Sequence, residues 1–418
     1  MLAGTVVGGI AGYLVLWLTA RAVGAAEYAV FGVFWSALFL VVGVLFGIQQ
    51  EATRVTAAAD AAPVATSPRS SLWVFGGVAG ILVVAVMLAS ATLWAPASFG
   101  AEDADLAVPA AVGSGLSAIV AVASGILAGR RKWLVMGLII AADGLLRLVA
   151  VAVVLALGGG TSALAWAVAA PYVVVVLAFL VIGGRRFLAA GRTMLGYRRL
   201  TANAARTVLA ASATAVLING FPLVLAVVEA GMDQALLGSL IFAITLTRAP
   251  LLVPLMALQS YLVTAFAMSP ERRWRILRTW LGVVAGGAVA FALVAWILGS
   301  WALEFFVGTE FALSGALLAA LILASGCIGA LCVTGPAVLA QNMHTAYAAG
   351  WLVASAATVA LLFLPIELTA AVPIALAVGP IVGIGIHLGL LRWATRADPA
   401  ARHPRPSGRP STTEGSGR

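Results

Sequence analysis

Runs of about 20 consecutive apolar residues follow one another along the whole chain, and they leave it few folds to adopt. A helix of that length spans the hydrocarbon of a bilayer. Inside lipid every backbone donor and acceptor must be paired within the protein, which only helices and closed barrels achieve. A barrel needs strands of about ten residues that alternate apolar and polar side chains, and these Leu-, Ala- and Val-rich runs do not alternate. Composition agrees: 63% of the 418 residues are apolar and 9% are charged, against roughly 25% charged in a soluble domain. Lipid must therefore solvate most of the exposed side chains. The expected fold class is an all-α polytopic membrane protein.

The spans fall at residues 2–20, 28–48, 72–95, 106–129, 133–157 and 162–183, then at 207–228, 235–263, 277–300, 311–338, 346–365 and 369–391. That count of twelve puts 21 of the 24 basic residues on one side of the membrane, in connections 49–71, 130–132, 184–206 and 264–276, just after the last of these at Arg278, and in the tail from Arg392. The opposite connections hold Glu102, Asp103, Asp105, Glu229, Asp233, Glu304, Glu310 and Glu367, with Arg21 beside Glu27. Basic loops face the cytoplasm, so both termini are expected inside a cell inner membrane. The net charge of +9 is a topology signal toward anionic lipid, and nucleic acid is not needed to explain it. The N-terminal run lacks the basic n-region of a cleaved signal peptide, so the first span is expected to be retained.

Connection 184–206 divides the spans six and six. The expected domains are an N-terminal six-helix bundle at 1–183, a basic cytoplasmic connector at 184–206 and a C-terminal six-helix bundle at 207–391. A Pro-, Gly-, Ser- and Arg-rich cytoplasmic tail at 392–418 is expected to be disordered. An even number of spans per half orients both halves alike, as in transporters built from parallel repeats.

Ionisable side chains well inside a span are costly and point to function. Three qualify: Asp143, Arg147 and Arg248. Asp143 and Arg147 are one helical turn apart, acid first, and read either as a self-neutralised packing pair or as part of a cavity lining. Arg248 has no acid within a turn or two. It sits in TLTRAPLLVP, where Pro250 and Pro254 remove backbone donors and are expected to kink the helix near the midplane. Thr245 and Gln259 share roughly its face. Such an unpaired guanidinium suits a diphosphate or carboxylate in a hydrated cavity; the other reading has it pair with Asp143 or another distant acid. Tyr28, Phe31 and Trp35 form an aromatic stripe that reads first as core, and Gln49, Gln50, Glu51 and Arg54 read as a solvated helix end. Cys327 and Cys332 lie in one apolar run with no ligand set around them, so no metal or cofactor is expected. No nucleophile–base arrangement, paired carboxylates or phosphate-binding glycine loop appears, and the chain is not expected to be an enzyme.

Three stretches together resemble the polysaccharide-transporter branch of the multidrug/oligosaccharidyl-lipid/polysaccharide exporter superfamily. They are RAVGAAEYAVF (Arg21 to Phe31), GIQQEATR (Gly47 to Arg54) and TLTRAPLLVP (Thr245 to Pro254). The resemblance extends to the twelve spans split six and six. It implies a flippase fold with two bundles around a central cavity that opens alternately to each side. It implies as cargo a lipid-linked, polyprenyl-diphosphate saccharide, with membrane lipids and other polysaccharide-assembly proteins as partners. Cationic cavity residues hold the diphosphate in such proteins; Arg248 matches that role best and Arg21 more weakly. The rival expectations are a cation-coupled multidrug exporter of the same superfamily, a membrane-embedded glycan polymerase or ligase, and a non-transporting scaffold. The first would use an unpaired acid in span one or seven, and neither span has one.

Overall fold

The computed structural model describes residues 1–60, 69–228 and 233–397. Its helices are α1 (Leu2–Asp60), α2 (Leu72–Ala89), α3 (Ala91–Phe99), α4 (Ala107–Gly129), α5 (Trp133–Ala156) and α6 (Thr161–Ala190) in the first half. In the second half they are α7 (Tyr197–Ile218), α8 (Phe221–Val228), α9 (Gln234–Met268), α10 (Arg273–Phe306), α11 (Gly315–Leu339), α12 (His344–Leu361) and α13 (Leu368–Ala397). Two short strands, β1 (Ser70–Ser71) and β2 (Arg192–Thr193), pair antiparallel with Ser70 opposite Thr193.

α1 is two helices that meet at Gly24, whose backbone (φ 80°, ψ 174°) is the break between them. Only glycine adopts that conformation freely, and a Cβ there would also lie 2.6 Å from the Glu310 carboxylate. The two limbs fold back on each other, since a Cβ at Gly12 would stand 4.0 Å from the Trp35 indole. Ten helical segments are long and apolar enough to cross a membrane. The first of them contains both limbs of α1; with α12, an 18-residue helix outside the ten that packs along α13 and α7, the helices are enough for the twelve crossings expected. Ile81, Leu82, Trp296 and Ile297 on α2 and α10 are all more than 60% exposed, as side chains solvated by lipid should be.

The helices outrun the apolar spans. The second limb of α1 continues from the expected end at 48 to Asp60, and α6 reaches Ala190 while α7 starts at Tyr197. Most of stretch 184–206 is therefore helix, leaving 191–196 between. Hydropathy marks only the part of a helix in hydrocarbon, whereas the backbone ladder continues into the polar layer. The tail expected from 392 is helical to Ala397, and residues 398–418 and Glu229 lie outside the described residues.

α1 packs against α4, α5 and α6 in its own half and crosses to α7, α8 and α9 in the other. Glycine sets these approaches: a Cβ at Gly144 of α5 would lie 2.8 Å from Gly8, and one at Gly47 would lie 2.4 Å from the Val208 amide of α7. At the basic end of the bundle, Glu51 is 2% exposed. It accepts two 2.7 Å bonds from Arg54 and one of 3.1 Å from Asn203 of α7. The patch read as a solvated helix end is thus a joint between the halves. At the acidic end the Ala25 amide donates to the Glu310 carboxylate at 3.2 Å. That bond caps the second limb of α1 from the α10–α11 connection. Tyr28, Phe242 and Phe311 pack edge to face beneath it, with ring centroids 5.5–5.8 Å apart.

Candidate functional site

Between the two joints lies a cavity of about 390 Å³, within the range of small-molecule sites. Its walls come from both limbs of α1, from α5, and from α7, α8 and α9, so it lies where the two halves meet. Gly8, Gly9 and Gly12 on the first limb create part of the space. A Cβ added at Gly9 would meet nothing within 4 Å.

Six of the residues singled out in the sequence line this one cavity: Tyr28, Trp35, Asp143, Arg147, Thr245 and Arg248. Arg147 is clamped on every side. Its Nη2 donates to both carboxylate oxygens of Asp143 at 3.0 and 2.9 Å, and Nη1 donates to the Val168 carbonyl. Its guanidinium also lies over the rings of Phe39 (5.3 Å) and Tyr172 (4.9 Å). The arginine side chain is 3% exposed and the aspartate 28%, so of the two cavity-lining partners the carboxylate is the more open.

Arg248 does not pair with Asp143. It is 6% exposed and makes one hydrogen bond among the described residues, from Nη1 to the Ile218 carbonyl at 2.9 Å. Its Cζ lies 5.6 Å from the Phe221 ring. The seventh crossing breaks between α7 and α8, which frees carbonyls at Ile218 and Asn219. Arg248 takes the first and Ser36 the second, as basic and hydroxyl groups do at helix C-termini. The Nε and Nη2 groups of Arg248 have no partner among the described residues. A buried donor left unpaired costs about 1–3 kcal/mol, so the site holds a charge-bearing group whose partners are incomplete.

The remaining sequence candidates lie elsewhere. Arg21 is exposed at the acidic end, where its Nη1 and the Trp17 indole both donate to the Phe306 carbonyl at 3.0 and 2.9 Å. There it caps the end of α10, and it does not line the cavity. Gln259 is half-buried further along α9 and is absent from the lining. α9 runs as one helix through Pro250 and Pro254. Both prolines withhold an N–H, which leaves the carbonyls of Leu246 and Pro250 without their helical donors. Sequence reading missed the glycine surface of the first limb and the break at Ile218–Asn219; the Asn-Gly pair at 219–220 was the available signal. The aromatic stripe divides: Phe31 is core, whereas Trp35 is half-buried at the cavity wall against Phe39, with centroids 4.4 Å apart.

An apolar groove of about 530 Å³ adjoins the cavity. It runs between the first limb of α1 and α9, α10 and α11, and shares Tyr13, Leu16 and Thr245 with the polar cavity.

No protein-family model matches the chain. It is 34% identical to the protein Rv1510 of Mycobacterium tuberculosis over 383 residues, 91% of this chain and 88% of that one. It is likewise 34% identical to Rv3630 of the same species over 384 residues, with the same coverage. It is also 34% identical to Mb3654 of Mycobacterium bovis over 389 residues, 92% of this chain and 89% of that one. Among solved structures, it superimposes on an inward-facing multidrug resistance MATE family transporter of the MOP superfamily with a TM-score of 0.74 at 14% identity, covering 94% and 96% of the two chains. Lipid II flippase MurJ in an inward closed conformation gives 0.74 at 11% identity, covering 93% and 86%. A MOP superfamily transporter from Pyrococcus furiosus gives 0.60 at 14% identity. The fold is that of MOP superfamily transporters.

Proposed function

The chain belongs to one family with the mycobacterial proteins Rv1510, Rv3630 and Mb3654, and from that footing and its fold we propose that it is a flippase. In this reading it moves a lipid-linked saccharide across the cytoplasmic membrane by alternating access, for export of a cell-surface polysaccharide. One observation carries the reading: Arg248, a buried guanidinium with two unpaired donor groups, lines a cavity between the halves. A sugar diphosphate cannot enter hydrocarbon unaided, and a cation with free donors offsets part of its desolvation. The apolar groove that shares a wall with the cavity suits the lipid part of such a cargo. The lipid II flippase MurJ, on the same fold, is a further point of support.

The halves at 1–183 and 207–391 are the bodies that rock about the cavity, with the joints at Glu51–Asn203 and Ala25–Glu310 made and broken in turn. The bias of basic residues to one end supports a cytoplasmic location for both termini in the inner membrane. A cation-coupled drug exporter has one observation in its favour, the Asp143 carboxylate exposed to the cavity. Both its oxygens already accept from Arg147, which opposes a role as carrier of a free cation.

Deletion of the gene and complementation at matched membrane levels test the reading. Loss of a surface polysaccharide with accumulation of its lipid-linked precursor is the expected phenotype. Arg248→Ala fails to restore export and Arg248→Lys restores part of it. Intact surface glycans with raised drug sensitivity would favour the exporter, and full complementation by both variants would make Arg248 a structural cap.

A further inference from the structure

The charged groups of the cavity divide into an orphan cation on α9 and a carboxylate on α5 whose counter-charge is hidden behind it. Here Arg147 is buried and Asp143 is the exposed one, and Arg147 is immobilised by a carbonyl and two aromatic faces. Each carboxylate oxygen has about two acceptor directions. Arg147 uses one on each oxygen, and the exposed part of the carboxylate offers the rest to the cavity. The acid is therefore a fixed acceptor, held in place by a neighbour whose own donors are engaged and which is almost fully covered.

Asp143 repels phosphate, so an anionic group belongs at Arg248 and a hydrogen-bond donor belongs at Asp143. The same wall presents Trp35 and Phe39, half-buried with rings 4.4 Å apart. Phe39 already packs against Arg147 and Trp35, so it is the part of the Trp35 indole left open to the cavity that suits the C–H face of a sugar ring. We propose that Asp143 is the specificity-determining residue of the cavity: it accepts hydrogen bonds from the hydroxyls of a sugar ring, while Arg248 holds the phosphate to which that ring is attached. This inference rests on the flippase reading, and it adds that the protein distinguishes a glycosylated lipid diphosphate from the bare one. A site built to bond a hydroxyl discriminates strongly against the analogue that lacks it, because its own polar group is then left unpaired.

The test measures binding of two probes to the purified full-length protein: undecaprenyl diphosphate, and undecaprenyl diphosphate carrying a single glucose. The protein should bind the glucosylated lipid about tenfold more tightly, a factor equivalent to about 1.4 kcal/mol. Asp143→Asn alone would strand the buried Arg147, so the pair is replaced together, once as D143N/R147Q and once as D143L/R147M. D143L/R147M should bind the two lipids alike, near the wild-type affinity for the bare lipid, and D143N/R147Q, which keeps one acceptor oxygen, should retain part of the preference. Arg248→Met should weaken both lipids by a similar factor and keep the preference. Discrimination that survives undiminished in folded D143L/R147M, or a wild type that binds both lipids equally, overturns the role of Asp143 and leaves the flippase reading standing. A wild type that binds neither lipid overturns both.

Discussion

Replacing each cavity arginine by methionine separates a residue kept for function from one kept for stability. For Arg248→Met the losses are one charge-assisted hydrogen bond to the Ile218 carbonyl, about 1.5–3 kcal/mol, and a cation–π contact with Phe221, about 0.5–2 kcal/mol. The gain is relief of two buried unpaired donor groups, Nε and Nη2, at about 1–3 kcal/mol each. The two sides nearly cancel, and methionine retains the length and apolar stem of the side chain. For Arg147→Met nothing comparable is relieved. A bidentate ion pair and a carbonyl bond are lost, and Asp143 is left facing the cavity without its partner. Breaking a buried pair from one side costs about 3–5 kcal/mol, discounted here because the aspartate is partly exposed. Thermal unfolding of the purified variants in detergent is the assay. Arg248→Met should unfold close to wild type, and Arg147→Met well below it. If Arg248→Met is destabilised as much as Arg147→Met, its orphaned donors are not a burden, and the inference from incomplete partners to function fails.

Other expectations follow from close approaches and joints. Gly9→Leu should fold, because its side chain enters empty cavity space, and should abolish transport by filling it. Gly8→Leu should fail to insert or fold, because its Cβ would lie 2.9 Å from the Ile140 carbonyl; membrane levels of the two proteins compare them directly. Gly24→Ala forces a Cβ into a backbone region that costs about 1–3 kcal/mol and against Glu310, so it should lower the unfolding temperature. Glu310→Ala removes the cap on the second limb of α1. A cysteine at position 245 should then react faster with a membrane-impermeant maleimide applied from the acidic end, and an unchanged rate would show that this joint does not hold the cavity shut.

Much of the fold was legible because lipid permits so few solutions. Apolar run lengths and the placement of arginines led to twelve crossings, with α12 present even though its connection near His344 carries no basic residue. Helix ends were less legible: Glu51 and Arg54 look like a solvated terminus in sequence, and only the approach of Asn203 from α7 makes Glu51 part of a joint. An ionisable residue inside an apolar run pointed to Asp143, Arg147 and Arg248, and the structure brings these three to one cavity. Periodicity along α9 carried Thr245 into the cavity, but it did not carry Gln259, eleven residues on. Arg21 lies off this cavity, because a basic residue near a helix end serves equally well to cap a neighbouring helix, here α10. The glycine surface at Gly8, Gly9 and Gly12 could not be told from ordinary helix packing until it was seen that Gly8 packs and Gly9 faces open space.

The most direct test of the account is a flipping assay in vesicles that hold the purified protein at matched insertion, with a fluorescent undecaprenyl-diphosphate saccharide as cargo. Chemical quenching of the outer leaflet reads the fraction that has crossed. Wild type should equilibrate the probe between leaflets, and Arg248→Met, folded and inserted to the same extent, should leave it in one. Equal transfer by the two proteins, or none by wild type above empty vesicles, would contradict the claim that a cation in this cavity carries a lipid-linked saccharide across the membrane.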